Sequence, residues 1–95
     1  VARLGARYCA LSGLHAIRSF VGTLDVIVQV VKLFGMVNVA ATFNDTSNVV
    51  NGASECLYEV FGLPGRAARS AVGMTLPGEW SVEIEMIVEV RDAIA

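Results

Sequence analysis

The sequence predicts an α+β domain in which helices cover one side of a mixed sheet. Three observations carry this expectation. Two segments have apolar residues at helical spacing, a long β-branched run and two C-terminal segments around a Pro-Gly turn read as strands, and turn-forming residues separate them in the order α-β-α-β-β. Ninety-five residues make a single domain, spanning 1–95, with no internal repeat and no low-complexity linker.

From Val1 to Phe20, the residues Leu4, Tyr8, Leu11, Leu14 and Ile17 recur every three or four positions. That spacing predicts an amphipathic helix with this stripe buried and Arg3, Arg7 and Arg18 facing solvent. Gly22 is the expected C-cap, because a left-handed residue there carries no Cβ clash. Asp25 to Ala40 is almost continuously β-branched, which predicts a strand covered on both faces. Gly35 interrupts it and marks a bulge or a close backbone approach.

A polar loop follows, in which Asp45, Thr46 or Ser47 can cap a second helix. That helix is expected from about Asn48 to Phe61, burying Val49, Val50, Ala53, Leu57, Val60 and Phe61. Gly62 and Pro64 end it. Two strands, about Arg69 to Leu76 and Ser81 to Val90, close the chain. Pro77-Gly78 between them predicts an antiparallel hairpin. In the last strand Val82, Ile84, Met86, Val88 and Val90 share one face, and Glu83, Glu85, Ile87 and Glu89 the other.

Composition narrows the functional classes. The chain is 55% hydrophobic and 17% charged, and its mean hydropathy is positive. A small domain has little interior in which to hide that much apolar surface, so burial between subunits is expected. The longest apolar stretch, Val26 to Ala41, is interrupted by Gln29, Lys32 and Asn38. It falls short of the ~18–20 apolar residues of a membrane-spanning helix, so no membrane partner is expected. Seven basic against nine acidic residues, with no basic run, argue against a nucleic-acid surface. Cys9 and Cys56 fit neither a metal knuckle nor a redox pair and read as reduced thiols of a cytoplasmic protein. With His15 as the single histidine, no metal centre is expected. Ser12, Ser54 and Ser70 lack a nucleophile-elbow sequence. The first residues show no signal peptide. The absence of an initiator Met and a helical pattern already running at Val1 read as a fragment.

The segment from Gly65 to Glu85, GRAARSAVGMTLPGEWSVEIE, carries a specific pattern: Ala-Arg-Ser, apolar residues, Leu-Pro, then apolar-Glu-Ile-Glu. It resembles the C-terminal signature of the YjgF/Rid family, also called the endoribonuclease L-PSP family. VVNGASECLYEVFG, from Val49 to Gly62, resembles the family's second helix, and VVKLFGMVNVAATF the central strand of a longer subgroup. Some features depart from the pattern. Ala68 stands where many members have Pro, Ala71 where Cys or Thr is frequent, and the spacer from Arg69 to Pro77 is one residue shorter. The family's first β-hairpin and third strand, which supply about half its sheet and an aromatic pocket residue, have no counterpart here.

The resemblance implies a chorismate-mutase-like fold, here without the N-terminal strands, in a homotrimer with sites between subunits. It implies hydrolytic deamination of 2-imino acids to 2-keto acids and ammonia, with no cofactor. Arg69 would grip the substrate carboxylate, chemistry that suits a permanently charged bidentate fork. Glu83 would activate water as general base. Asn51 matches a pocket position, and backbone groups at Ser70 and Ala71 would hold the second carboxylate oxygen. Residue types alone favour reading Arg69 as a strand end that is solvated or paired with a surface acid, and only the motif reverses that. Glu83 also reads as its cross-strand counter-charge in the hairpin, a role compatible with the catalytic one. Asn51 reads equally as a plain polar helix residue. Glu85, on the same face as Glu83, could exchange roles with it, and Trp80 could be a rim or a lid. Non-catalytic binding of a small carboxylate is the alternative function; ribonuclease or chaperone-like roles are further ones.

Overall fold

Ile27–Asn38 forms the longest strand, β1, and the rest of the chain is organised around it. In a computed structural model, residues 2–39, 43–78 and 80–91 are described. Helix α1 spans Ala2–Val21 and α2 Thr46–Phe61; strands β2 and β3 span Ala68–Met74 and Val82–Val90. Short 3-10 turns at Leu24–Val26 and Leu63–Gly65 precede β1 and β2. The expected strand end at Ala40 lies outside the described residues. The fold is α+β, as anticipated, with two helices on one face of a three-stranded mixed sheet.

The hairpin is not formed. The strand order is β2-β1-β3, so β1 lies between the two strands that Pro77-Gly78 connects. β2 runs parallel to β1 and β3 antiparallel. The turn dipeptide is real, with Gly78 at φ 63°, but it belongs to a link that passes over the end of β1. Extended chain advances ~3.3 Å per residue and strands one apart are separated by ~10 Å, so Thr75 to Ser81 reaches easily. Asn38 ties the link down: its backbone N–H donates to Ser81 O at 2.9 Å, and its side-chain amide donates to Trp80 O at 3.1 Å. The most β-branched strand satisfies both its edges, which a terminal hairpin beside it would not achieve.

Among the described residues the helices cover only one face of β1. Val30, Leu33 and Val37 are buried beneath the helices, while Val28 and Val31 stay exposed. The paired rows Lys32/Ala68/Ile87, Phe34/Ser70/Glu85 and Met36/Val72/Glu83 lie on the side away from the helices. Gly35 is a close approach: a Cβ there would overlap the Val50 side chain of α2. The register shifts of β1 fall instead between Ile27 and Gln29 and between Val30 and Lys32.

Helix α1 is turned relative to the expected stripe. Ala6, Ala10 and Leu14 are buried, whereas Leu4 (51%), Tyr8 (60%) and Leu11 (41%) are exposed. Small residues face α2 because the helices pack closely; a Cβ on Gly52 would overlap the Arg3 carbonyl. Large side chains on that face would hold the helices apart. α2 buries Val49, Val50, Ala53, Cys56 and Leu57, but Val60 is exposed and Phe61 only half-buried. Its N-cap Asp45 makes no capping side-chain hydrogen bond; the Thr46 hydroxyl donates to Ala71 O at 3.2 Å instead. Both helices end as expected, at Gly22 and Gly62 with positive φ, each N–H bonded back to the last turn. Among the described residues no helix is long and apolar enough to cross a membrane.

Candidate functional site

A polar stripe on α2 builds the site around Arg69. Ser47, Asn51 and Ser54 follow one another at helical spacing, alongside the buried face. Arg69, the second residue of β2, pairs with Leu33 of β1 and so lies on the helix-covered side of the sheet. One guanidinium nitrogen, Nη1, donates to Asn51 Oδ1 at 2.7 Å and to Ser54 Oγ at 3.0 Å. Nη2 donates to the backbone carbonyl of Ser47 at 3.3 Å. All three acceptors are neutral, Arg69 is half-buried, and no carboxylate pairs with it among the described residues. A charge drawn partly out of water without a counter-ion favours an anionic ligand.

The groove beside it, between α2 and β2, encloses about 730 Å³ and is lined by Leu33, Ser54, Tyr58, Arg66, Ala67 and Arg69 among others. This lies within the size range of small-molecule sites. Among the described residues β2 forms an edge of the sheet, so alternate backbone N–H groups along it have no partner within that sheet. Ala71 shares the helix-facing side with Arg69, and its carbonyl is occupied by Thr46. Ser70 is exposed on the opposite side, paired with Phe34.

Glu83 is not beside Arg69. It lies on β3, at the other edge of the sheet, and belongs to the row facing away from the helices. The cross-strand opposition expected of a hairpin is therefore absent. Glu83 borders a second groove of about 630 Å³ between α1 and β3, with Tyr8, Cys9, Ser12 and Trp80. Burial pushes the Cys9 thiol above its usual pKa, and the nearby Glu83 carboxylate adds to the effect. Trp80 is an exposed rim residue of that groove. Glu85 is exposed in the Phe34 row.

Of the residues singled out in the sequence, the fold thus brings Arg69 and Asn51 into contact and leaves Glu83 apart. Ser54 and the Ser47 carbonyl were missed. The 47-51-54 spacing was the available signal for Ser54, whereas a backbone acceptor leaves none. His15 is exposed on α1. Among the described residues no three His, Cys, Asp or Glu side chains gather as a metal site.

No family model matches the chain. It is similar to protein TCP17 of Trypanosoma cruzi, at 42% identity over 89 residues, covering 92% of this chain and 56% of that protein. Among solved structures it resembles an Agrobacterium tumefaciens protein of unknown function, with a TM-score of 0.92 and 42% identity, covering 95% of this chain and 59% of the other. It also resembles a Shewanella oneidensis protein given provisionally as an endoribonuclease, with a TM-score of 0.83 and 26% identity. That alignment covers 90% of this chain and 57% of the other. The chain spans a little over half the length of each of these relatives.

Proposed function

The chain belongs to the YjgF/Rid (endoribonuclease L-PSP) family, and from that premise we propose that it hydrolyses reactive 2-imino acids to 2-keto acids and ammonia. The reaction takes place in clefts between the subunits of a cytoplasmic homotrimer. The observation that carries this reading is Arg69, half-buried, fixed by three neutral acceptors and lacking an acidic partner among the described residues. Its guanidinium holds the substrate carboxylate, with Asn51 keeping the fork in place and backbone groups near Ser70 and Ala71 taking the second oxygen.

A protonated imine carbon is already electrophilic. Glu83 as general base removes a proton from water while the oxygen bonds to that carbon, and the C=N electron pair moves to nitrogen. The carbinolamine then passes its hydroxyl proton to the amine. The C–N bond breaks, the keto acid remains, and ammonia leaves as ammonium with the proton that Glu83 had taken from water. No cofactor takes part. Arg69 and Glu83 occupy opposite edges of one sheet, so a head-to-tail ring of subunits is the arrangement in which the two can meet across a boundary.

The separation of Arg69 from Glu83 within one chain favours a second reading, in which the groove binds a small carboxylate without turnover. The provisional endoribonuclease assignment of the Shewanella neighbour supplies a third. Nine acidic against seven basic residues give that reading little charge with which to hold phosphates. The test generates 2-iminopropanoate in situ and follows pyruvate and ammonia. Faster release with the protein supports deamination; binding of pyruvate without faster release supports the second reading and removes the first.

A further inference from the structure

Two arginines border the α2–β2 groove, and neither has an acidic partner among the described residues. Arg69 is one. Arg66 is the other, its guanidinium stacked over the Tyr58 ring with 5.0 Å to the centroid. The stack restrains a long side chain while leaving the N–H edge of the fork available. Its backbone is also fixed. The Arg66 N–H donates to Leu63 O at 2.9 Å, closing the 3-10 turn. Buried Gly65 within that turn packs where a Cβ would overlap the Leu57 carbonyl of α2.

The groove's two acids do not cancel these charges. Glu55 is paired with Arg3 and Glu59 with Arg7, both from α1, the latter at 2.7 Å. Each glutamate therefore already has a counter-ion on the far side of α2. What remains for a ligand is two guanidinium groups three residues apart, ~10 Å between Cα atoms in extended chain, with an apolar floor at Leu33.

We propose that this groove takes a dicarboxylic acid, with one carboxylate on Arg69 and the second on Arg66, making Arg66 the residue that selects a diacid over a monoacid. The proposal rests on the reading of Arg69 as a carboxylate anchor and adds the class of ligand.

Titration calorimetry with 2-oxoglutarate and 2-oxopentanoate tests it, because the two share chain length and the 2-keto carboxylate and differ in the distal group. The unmodified protein should bind 2-oxoglutarate about fivefold more tightly, the ratio that ~1 kcal/mol from an exposed ion pair represents. Arg66→Gln should lose that preference with 2-oxopentanoate affinity unchanged, and Arg66→Lys should keep most of it. Arg69→Ala should weaken both acids. Equal affinity of the unmodified protein for the two acids, or a preference that persists in Arg66→Gln, overturns the proposal while leaving Arg69 as anchor. Binding of neither acid, or binding of both unchanged in Arg69→Ala, overturns the anchor reading itself. A circular-dichroism spectrum matching the unmodified protein's shows that the variants are folded.

Discussion

Arg69 joins the α2 stripe to the first residues of β2, and its effect depends on what holds it. Asn51 and Ser54 both accept from Nη1, so each removal should loosen the fork by a graded amount. Hydrogen bonds to charged groups contribute ~1.5–3 kcal/mol. Asn51→Ala should therefore weaken 2-oxobutanoate binding roughly tenfold or more, read by calorimetry, and Ser54→Ala should do so to a lesser extent because its contact is longer. Arg69 and Asn51 were legible because each sits inside a motif of the chain. Ser54 was legible only as a spacing, and the Ser47 carbonyl not at all, since a main-chain acceptor has no residue-type signature. Cys9 and Cys56 make a separate prediction. Burial is the largest cause raising both thiols. A folded pKa above the unfolded one means stability present below the unfolded thiol pKa and lost as pH rises through the folded one. Iodoacetamide labelling of the native protein at neutral pH should be slower than that of a free thiol, and melting temperature should fall on the alkaline side.

At the scale of elements, composition and periodicity gave the number, type and order of helices and strands but not which face or neighbour each would choose. α1 carries two apolar faces, one of large residues and one of small. The sequence favours the large one, yet close packing against Gly52 and Ala53 selects Ala6 and Ala10. Ala10→Leu should cost ~1–3 kcal/mol through overpacking, while Leu4→Ser on the outward face should change the urea midpoint little. Gly35→Ala should cost a similar amount to Ala10→Leu, because its added methyl meets Val50. The β2/β3 hairpin was misread for a different reason. A Pro-Gly turn reports that the chain reverses, but not whether a third strand lies between the two it joins. That third strand was the same β1 whose β-branched run signalled a need for cover on both sides. Its helix-side cover comes from within the chain, and its edges are taken by β2 and β3.

At the scale of the molecule, the sheet face away from the helices keeps Val31 and Ile87 about half exposed, and Phe34, Met36 and Val72 line the same side. Together with the exposed Leu4, Tyr8 and Leu11 of α1, it is apolar surface left open among the described residues, and the proposed trimer would bury the sheet face. Replacing Ile87 with Asp should lower the association state in sedimentation equilibrium, since a charge on such a face must be desolvated to form the interface. The same assembly is what the proposed chemistry requires, because one chain alone keeps Arg69 and Glu83 at opposite sheet edges. The most direct test of the account generates 2-iminopropanoate with an amino-acid oxidase and traps it with semicarbazide, in the presence of the protein or its Arg69→Ala variant. Suppression of the trapped adduct by the unmodified protein and not by the variant is the predicted result. Adduct formation unaffected by either, with both still folded and associated, would contradict the deaminase reading and leave a carboxylate-binding protein.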